Sequence, residues 1–383
     1  MSVTAAKGFR AAGIAAGIKQ NGNPDLALVV NDGPRRAAAA VFTANRVKAA
    51  PVLWSEQVMK SGQVSAVVLN SGGANACTGP KGFQDTHATA EKAGEVLGRG
   101  AIEVAVCSTG LIGTLLPMDK VLPGIETAAA QLSEHGGEKA AIAIKTTDTV
   151  HKTSVVSRGD WTVGGMAKGA GMLAPGLATM LVVITTDADV DEATLDKALR
   201  AATRVTFDRV DSDGCMSTND TVLLLSSGAS GATPDYDAFA DAVREVCADL
   251  GRQLIGDAEG ASKDIKVEVV GAASEADAVE VGRSIARNNL LKCAIHGEDP
   301  NWGRVLSAIG TTGAVFEPDR LGVAINGVWV CKNGSVGEDR DLVDMRYREV
   351  HIVADLAAGA ETATIWTNDL TADYVHENSA YSS

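Results

Sequence analysis

The segment that most constrains this chain is residues 164–186, where a glycine-rich stretch leads directly into a run of apolar and β-branched residues. The run Met180–Thr186 predicts a fully buried strand, and Pro175-Gly176 predicts a tight turn shortly before it. Thr179 therefore stands at the first position of a buried strand. A threonine there can be an ordinary strand residue. It can also be the nucleophile of an enzyme that cuts the bond between Ala178 and itself and uses the freed amine as its own base.

Composition restricts the class of protein and the kinds of partner. The chain has 383 residues, of which 45% are hydrophobic and 21% charged, which is the balance of a folded protein. This length has room for two domains or for one large domain with an appendage. Its formal net charge is −14 with no basic stripe, which argues against nucleic acid and anionic membranes as partners. The amino terminus lacks the apolar stretch of a signal peptide and no window resembles a membrane span, so we expect a cytoplasmic protein.

Motifs for metals, cofactors and nucleotides are missing from the sequence. The six cysteines lie far apart, without a Cys-x-x-Cys pair or a Cys/His cluster, which argues against a zinc site or a disulfide framework. There is no Gly-Lys dipeptide, hence no P-loop, and no Gly-x-Ser-x-Gly elbow for a serine nucleophile. We therefore expect no metal and no cofactor.

Shorter patterns predict a coarse order of elements. The expected strands are Val64–Leu69, Val104–Cys107, Thr221–Leu225, Ile265–Val270 and Leu290–Ile295, and the pair Lys152–Val156 and Trp161–Val163 is expected as a hairpin. The expected helices are Glu192–Thr203, Tyr236–Ala261 and Glu275–Arg287. No proline-rich linker divides the chain, and we expect a soft domain boundary near residue 274.

Several blocks of sequence occur in one order along nearly the whole chain. They are Val41-Phe42-Thr43, residues 70–79, Cys107-Ser108-Thr109-Gly110, residues 146–149, 168–175, 177–181, 217–221, 257–260, 299–304 and 377–381. Together these blocks resemble the ornithine acetyltransferases, the bifunctional glutamate N-acetyltransferases of arginine biosynthesis. The segment around Thr179 resembles the self-processing junction of that family. His151 and Gly176 depart from the usual pattern, and neither touches the bond to be cut.

The resemblance implies an αββα layered core of the self-cleaving N-terminal-nucleophile type, with a smaller C-terminal α/β domain. The core would span residues 1–273, and residues 274–383 would form the second domain, with a tail that returns to the active site. Cleavage between residues 178 and 179 would give an α chain, 1–178, and a β chain, 179–383. Two of each would assemble as a heterotetramer.

The resemblance also implies roles for single residues. Thr179 is the nucleophile, and Thr109 with Gly110 forms the oxyanion hole, although the residues alone also allow a plain turn there. Substrate binding is implied for Thr146, Lys168, Thr179, Glu259, Asn378 and Ser383. By themselves, Lys168 could be a solvated loop lysine, Glu259 a carboxylate on a helix surface, and the end of the chain a disordered tail.

The expected reaction is a ping-pong transfer, in which Thr179 takes the acetyl group of N2-acetylornithine as an ester and glutamate then collects it. Whether acetyl-CoA is also a donor stays open at this point, because no motif in the sequence indicates an acetyl-CoA site. The runner-up is an aminopeptidase or amidase of the same fold with water as the acceptor. A third class is a non-catalytic protein that binds a small molecule and in which Thr179 is only a strand residue.

Overall fold

The structure is a computed structural model that describes residues 2–174 and 180–380. The chain divides into two compact units. Of the described residues, the first contains those up to Asp208 together with Cys215–Asp257, and the second contains Arg209–Gly214 and those from Ala258 onward. The boundary expected at 273/274 therefore falls inside the second unit.

Within the described residues, the first unit contains two sheets and the helices that cover them. Its strands are β1 Phe9–Ile14, β2 Leu26–Asn31, β3 Ala38–Phe42, β4 Ala66–Ser71, β5 Val104–Thr109, β6 Lys152–Arg158, β7 Trp161–Lys168, β8 Leu181–Thr186 and β9 Thr221–Ser226. Its helices are α1 Ala50–Val58, α2 Gly79–Leu97, α3 Met118–Ala130, α4 Gly137–Ala143, α5 Glu192–Val205 and α6 Tyr236–Gly256. One sheet has the order β1-β2-β4-β5, and the other has the order β3-β9-β8-β7-β6.

The two sheets of the first unit pack face to face, with helices on both outer sides. Leu28 of the first sheet shares one hydrophobic core with Met166 and Leu223 of the second. Helices α1–α4 pack on the first sheet, and α5 and α6 pack on the second. Side chains alternate along β7, so that Gly165 faces Val246 of α6 while Met166 faces the core between the sheets. The αββα core expected from the resemblance is confirmed.

Strands in the middle of these layers are buried on both faces, which explains the continuous apolar runs in the sequence. Every residue of β4, β5, β8 and β9 is buried. The strand predicted at Met180–Thr186 is confirmed as β8. The predicted hairpin is confirmed as β6 and β7, whose turn contains Gly159 at φ 57°.

The second unit is built on a mixed sheet. Its strands are β10 Asp264–Ala272, β11 Gly322–Ile325, β12 Val328–Lys332, β13 Ser335–Val336, β14 Glu349–Asp355 and β15 Glu361–Asn368, and its helices are α7 Glu275–Ala286, α8 Asn289–His296, α9 Trp302–Ile309 and α10 Ala372–Ala380. The strand order is β13-β12-β11-β14-β10-β15. β10 belongs to this unit because it pairs with β14 and β15. No helix in the described parts of the chain is long and apolar enough to span a bilayer.

Residues 290–295, expected as a strand, form part of helix α8, so that prediction is wrong. The Asn288 side chain accepts a hydrogen bond from the Leu291 backbone N–H at 3.0 Å and caps the helix. Leu291, Ala294 and Ile295 are buried, which is the spacing of one helical face. A short apolar run fits a strand or a helix equally well, and here the capping residue decides between them.

Candidate active site

Thr109 ends β5, and Gly110 turns the chain out of the sheet. The strand runs two residues beyond its predicted end at Cys107. Gly110 has φ +129°, and a Cβ atom there would lie 2.5 Å from the Gly73 backbone nitrogen, so this position requires glycine. The Thr109 carbonyl oxygen accepts hydrogen bonds from the N–H groups of Gly72 and Gly73, at 2.9 and 3.0 Å. These contacts fix the Thr109-Gly110 turn at the end of a buried strand.

Lys168 reaches Thr109 from the other sheet of the first unit. It is the last residue of β7 and only 2% exposed, so the alternative of a solvated loop lysine does not hold. Its Nζ donates a hydrogen bond to Thr109 Oγ1 at 3.1 Å. The threonine hydroxyl accepts from the lysine and keeps its own proton for another acceptor. Two of the predicted site residues are therefore in direct contact.

The register of β7 and β8 brings this contact close to the junction that the sequence singled out. Lys168 pairs with Leu181, the first residue of β8. Met180, which precedes Leu181, is 1% exposed, and its backbone N–H donates to Asp220 Oδ1 at 2.9 Å. The predicted nucleophile Thr179 and its neighbour Ala178 lie outside the described residues.

A buried charge network surrounds the end of β7. Asp148 Oδ1 accepts hydrogen bonds from the Gly169 N–H at 2.6 Å and from Lys152 Nζ at 2.7 Å. Lys152 is 0% exposed and also donates to Asp257 Oδ2 at 2.5 Å. Burial by itself would raise the pKa of Asp148, but the charges of Lys168 and Lys152 and the Gly169 N–H outweigh it and lower that pKa to about 2. Asp148 is therefore an ionised carboxylate that fixes Gly169, the residue after Lys168.

Thr146 belongs to the same network. Its backbone N–H donates to Asp148 Oδ2 at 3.0 Å, so one carboxylate joins this predicted binding residue to the end of β7. Sequence reasoning missed both Asp148 and Lys152. A signal was present, since the two charges are four residues apart and Asp148 lies within the resembled block 146–149. Such a pair is more often a solvent-exposed one.

Two further predicted site residues meet within the second unit. Asn378 lies on α10, and its Nδ2 donates to Glu259 Oε2 at 2.9 Å. The helix expected to extend to residue 261 ends at Gly256, so Glu259 lies beyond it. Glu259 is only 8% exposed, so the alternative of a carboxylate on a helix surface does not hold.

Residues 372–380, near the end of the chain, form helix α10. Thr371 Oγ1 donates to the Gly260 carbonyl oxygen at 2.7 Å and accepts from the Tyr374 N–H at 2.9 Å. It therefore ties the start of α10 to the segment that carries Glu259. The default of a disordered tail does not hold for residues 372–380, while Ser383 lies outside the described residues.

Comparisons with known proteins place the chain among enzymes of arginine biosynthesis. The model of the ArgJ family matches residues 10–383. The arginine biosynthesis bifunctional protein ArgJ of Streptomyces coelicolor is 87% identical over 383 residues, with 100% of both chains covered. The protein of the same name from Thermobifida fusca is 64% identical over 382 residues, again with 100% of both chains covered. The crystal structure of ornithine acetyltransferase from Mycobacterium tuberculosis in complex with ornithine is 60% identical, covers 47% of this chain and 96% of that chain, and has a TM-score of 0.45.

The layered α/β fold and these relatives define an acyltransferase of arginine biosynthesis. The chain belongs to the ArgJ family.

Proposed function

We propose that this chain cuts itself between Ala178 and Thr179 and transfers an acetyl group from N2-acetylornithine to glutamate through an ester on Thr179. The observation that carries the proposal is the buried contact of Lys168 Nζ with Thr109 Oγ1 at 3.1 Å, on a strand paired with β8. It supports an oxyanion-binding turn and a substrate-binding cation close to the start of that strand. The ornithine bound to the solved relative supports the choice of substrate.

In the first half-reaction, the α-amine of Thr179 takes the hydroxyl proton while Oγ1 attacks the acetyl carbonyl carbon of N2-acetylornithine. The Thr109 hydroxyl and the Gly110 N–H donate to the oxygen that becomes negative, which contributes about 3–4 kcal/mol for each donor. The C–N bond then breaks, the proton passes to the leaving nitrogen, and ornithine departs. In the second half-reaction the amine of glutamate attacks the ester carbonyl, and the Thr179 hydroxyl is restored.

Charged and polar groups select the substrates in this proposal. Lys168 and Thr146 bind a substrate carboxylate, since a buried lysine forms strong charge-assisted hydrogen bonds. Glu259 binds the side-chain ammonium of ornithine. The hydrogen bond from Asn378 holds the Glu259 carboxylate in place. Ser383 completes the binding site when the tail returns to it.

The proposal extends to processing and assembly. The cut yields an α chain of residues 1–178 and a β chain of residues 179–383, and two of each form a cytoplasmic heterotetramer. The word bifunctional in the names of the relatives supports a second reaction, the synthesis of N-acetylglutamate from acetyl-CoA.

An acetyl-transfer assay with N-terminal sequencing tests the proposal. The purified protein should convert N2-acetylornithine and glutamate into ornithine and N-acetylglutamate, and sequencing should give a second amino terminus that reads Thr-Met-Leu-Val-Val. Replacing the donor with acetyl-CoA tests the second reaction. Release of acetate at the same rate without glutamate would favour an amidase instead.

Variants of Thr179 separate the roles of the residue. Thr179→Ala should remain one chain without transfer activity, because both the hydroxyl and the means of generating the amine are lost. Thr179→Ser should still be cut, more slowly. A single uncut chain with full activity would contradict the proposal, as would an active Thr179→Ala protein.

A further inference from the structure

The backbone at the start of β8 is held by one buried carboxyl group. The Met180 N–H donates to Asp220 Oδ1 at 2.9 Å, and the Met180 carbonyl oxygen accepts from the Thr221 N–H at 3.1 Å. Asp220 is 0% exposed and Met180 1% exposed. The parallel pairing of β8 with β9, in which Leu181 lies opposite Thr221, places these residues side by side. Both backbone polar groups of Met180 are therefore satisfied directly before the strand begins.

The surroundings of Asp220 favour its neutral form. Burial raises the pKa of this carboxyl well above its ordinary value. The Met180 N–H and the charge of Lys168 oppose that shift without cancelling it, and so do the Ser217 N–H and the Thr43 side chain. Asp220 thus contrasts with Asp148, which is buried among cations and ionised.

A hydrogen bond to the Met180 nitrogen also constrains the preceding residue. That nitrogen belongs to the peptide group that joins Met180 to Thr179, and a peptide group is planar. Restraining the direction of its N–H therefore restrains the orientation of the peptide group to which the proposed nucleophile is covalently joined.

We propose that Asp220 is a positioning residue for the nucleophile, and that its carboxyl oxygen acts as the hydrogen-bond acceptor for the peptide group that follows Thr179. This inference rests on the proposed function, because it requires Thr179 to be the reacting residue. Asp220 acts through Met180, and not by contact with the substrate.

Two substitutions at this position and one control separate positioning from general stability. Asp220→Asn keeps an acceptor oxygen without a charge, and Asp220→Ala removes the acceptor. The matched control is Asp187→Ala. Asp187 is 2% exposed, follows the other end of β8, and accepts hydrogen bonds from the N–H groups of Thr162 and Lys7 at 2.8 and 2.9 Å.

The self-cleavage, kcat, KM and Tm of each variant are measured. Asp220→Asn should be cut and should keep kcat close to that of the wild type. Asp220→Ala should keep KM and lose about 10²-fold in kcat, since a misplacement of about 1 Å costs that much. Asp187→Ala should lower Tm and leave the kcat of the folded, cut enzyme unchanged. If Asp220→Ala does not fold, Asp220→Leu, which fills the space without an acceptor, carries the same expectation.

Three results would overturn the inference. The first is a folded and cut Asp220→Ala or Asp220→Leu enzyme with wild-type kcat. The second is Asp220→Asn as slow as Asp220→Ala, because the charge would then be required. The third is an equal loss of kcat in Asp187→Ala. Failure of the proposed function looks different: the wild-type chain is then uncut, or Thr179→Ala is active, whatever the Asp220 variants do.

Discussion

Replacing Asp148 with asparagine should destabilise the core of the first unit in a pH-dependent way. The variant leaves Lys152 and Lys168, which are 0% and 2% exposed, beside a neutral amide in place of a carboxylate. Lys152 keeps its second partner, Asp257. Removing one member of a buried ion pair costs about 3–5 kcal/mol.

The lowered pKa of Asp148 gives an independent value for the stability that this carboxylate contributes to the fold. It lies at about 2, against the ordinary value of 3.8. At about 1.36 kcal/mol for each pKa unit, the shift corresponds to about 2 kcal/mol of stability. Because the folded-state pKa is the lower one, this contribution is complete above the unfolded-state value and is lost as the pH falls through the folded-state value. We expect Asp148→Asn to lose about 2–5 kcal/mol at pH 7, and the difference from the wild type to shrink between about pH 5 and pH 2.

Urea unfolding over a pH series measures this difference directly. Asp344→Asn is the matched control, because hydrogen bonds from Arg346 also lower the pKa of Asp344 to about 2, while that side chain is 41% exposed. Exposed ion pairs contribute little, so the control should unfold at nearly the wild-type urea concentration. Equal unfolding free energies of Asp148→Asn and the wild type at pH 7 would show that ionised Asp148 does not stabilise the core of the first unit. A difference that does not change with pH would show the same.

Three further changes address the site itself. Thr109→Ala should lower kcat by about 10²–10³-fold with little change in KM, since an oxyanion donor acts mainly in the transition state, and a change in KM alone would contradict this role. Lys168→Met should raise KM for glutamate and N2-acetylornithine, measured by steady-state kinetics; an unchanged KM for both would remove Lys168 from substrate binding. Deleting residues 378–383 should leave self-cleavage intact and lower the ratio of N-acetylglutamate to free acetate, and an unchanged ratio would show that the tail does not close the site.

Local patterns were sufficient for much of the fold. β8 follows from one continuous apolar run, and α5 follows from its periodic apolar face and from Asp191, whose side chain accepts from the Thr194 N–H at 2.8 Å. The same kind of evidence failed at residues 290–295, because a short apolar run has no period of its own. Asn288, which caps the helix, distinguishes a helix from a strand here, and the prediction did not use it.

The site was only partly predictable for a different reason. Thr109 and Lys168 were found through the resemblance, and the structure brings them into contact although 59 residues separate them. Asp148, Lys152 and Asp257 form a buried network only when the strand β6, the turn before it and the end of α6 come together. The four-residue spacing of Asp148 and Lys152 does not distinguish a buried pair from an exposed one, and their long-range pairing with Asp257 leaves no periodic trace in a single sequence.

The most direct test of the central claim is the mass of the chain that begins at Thr179, measured after rapid mixing with N2-acetylornithine. This chain should become heavier by one acetyl group, fragmentation should place the group on Thr179, and added glutamate should remove it as N-acetylglutamate. A cut, active enzyme whose second chain never carries an acetyl group, or carries it on another residue, would show that Thr179 is not the nucleophile.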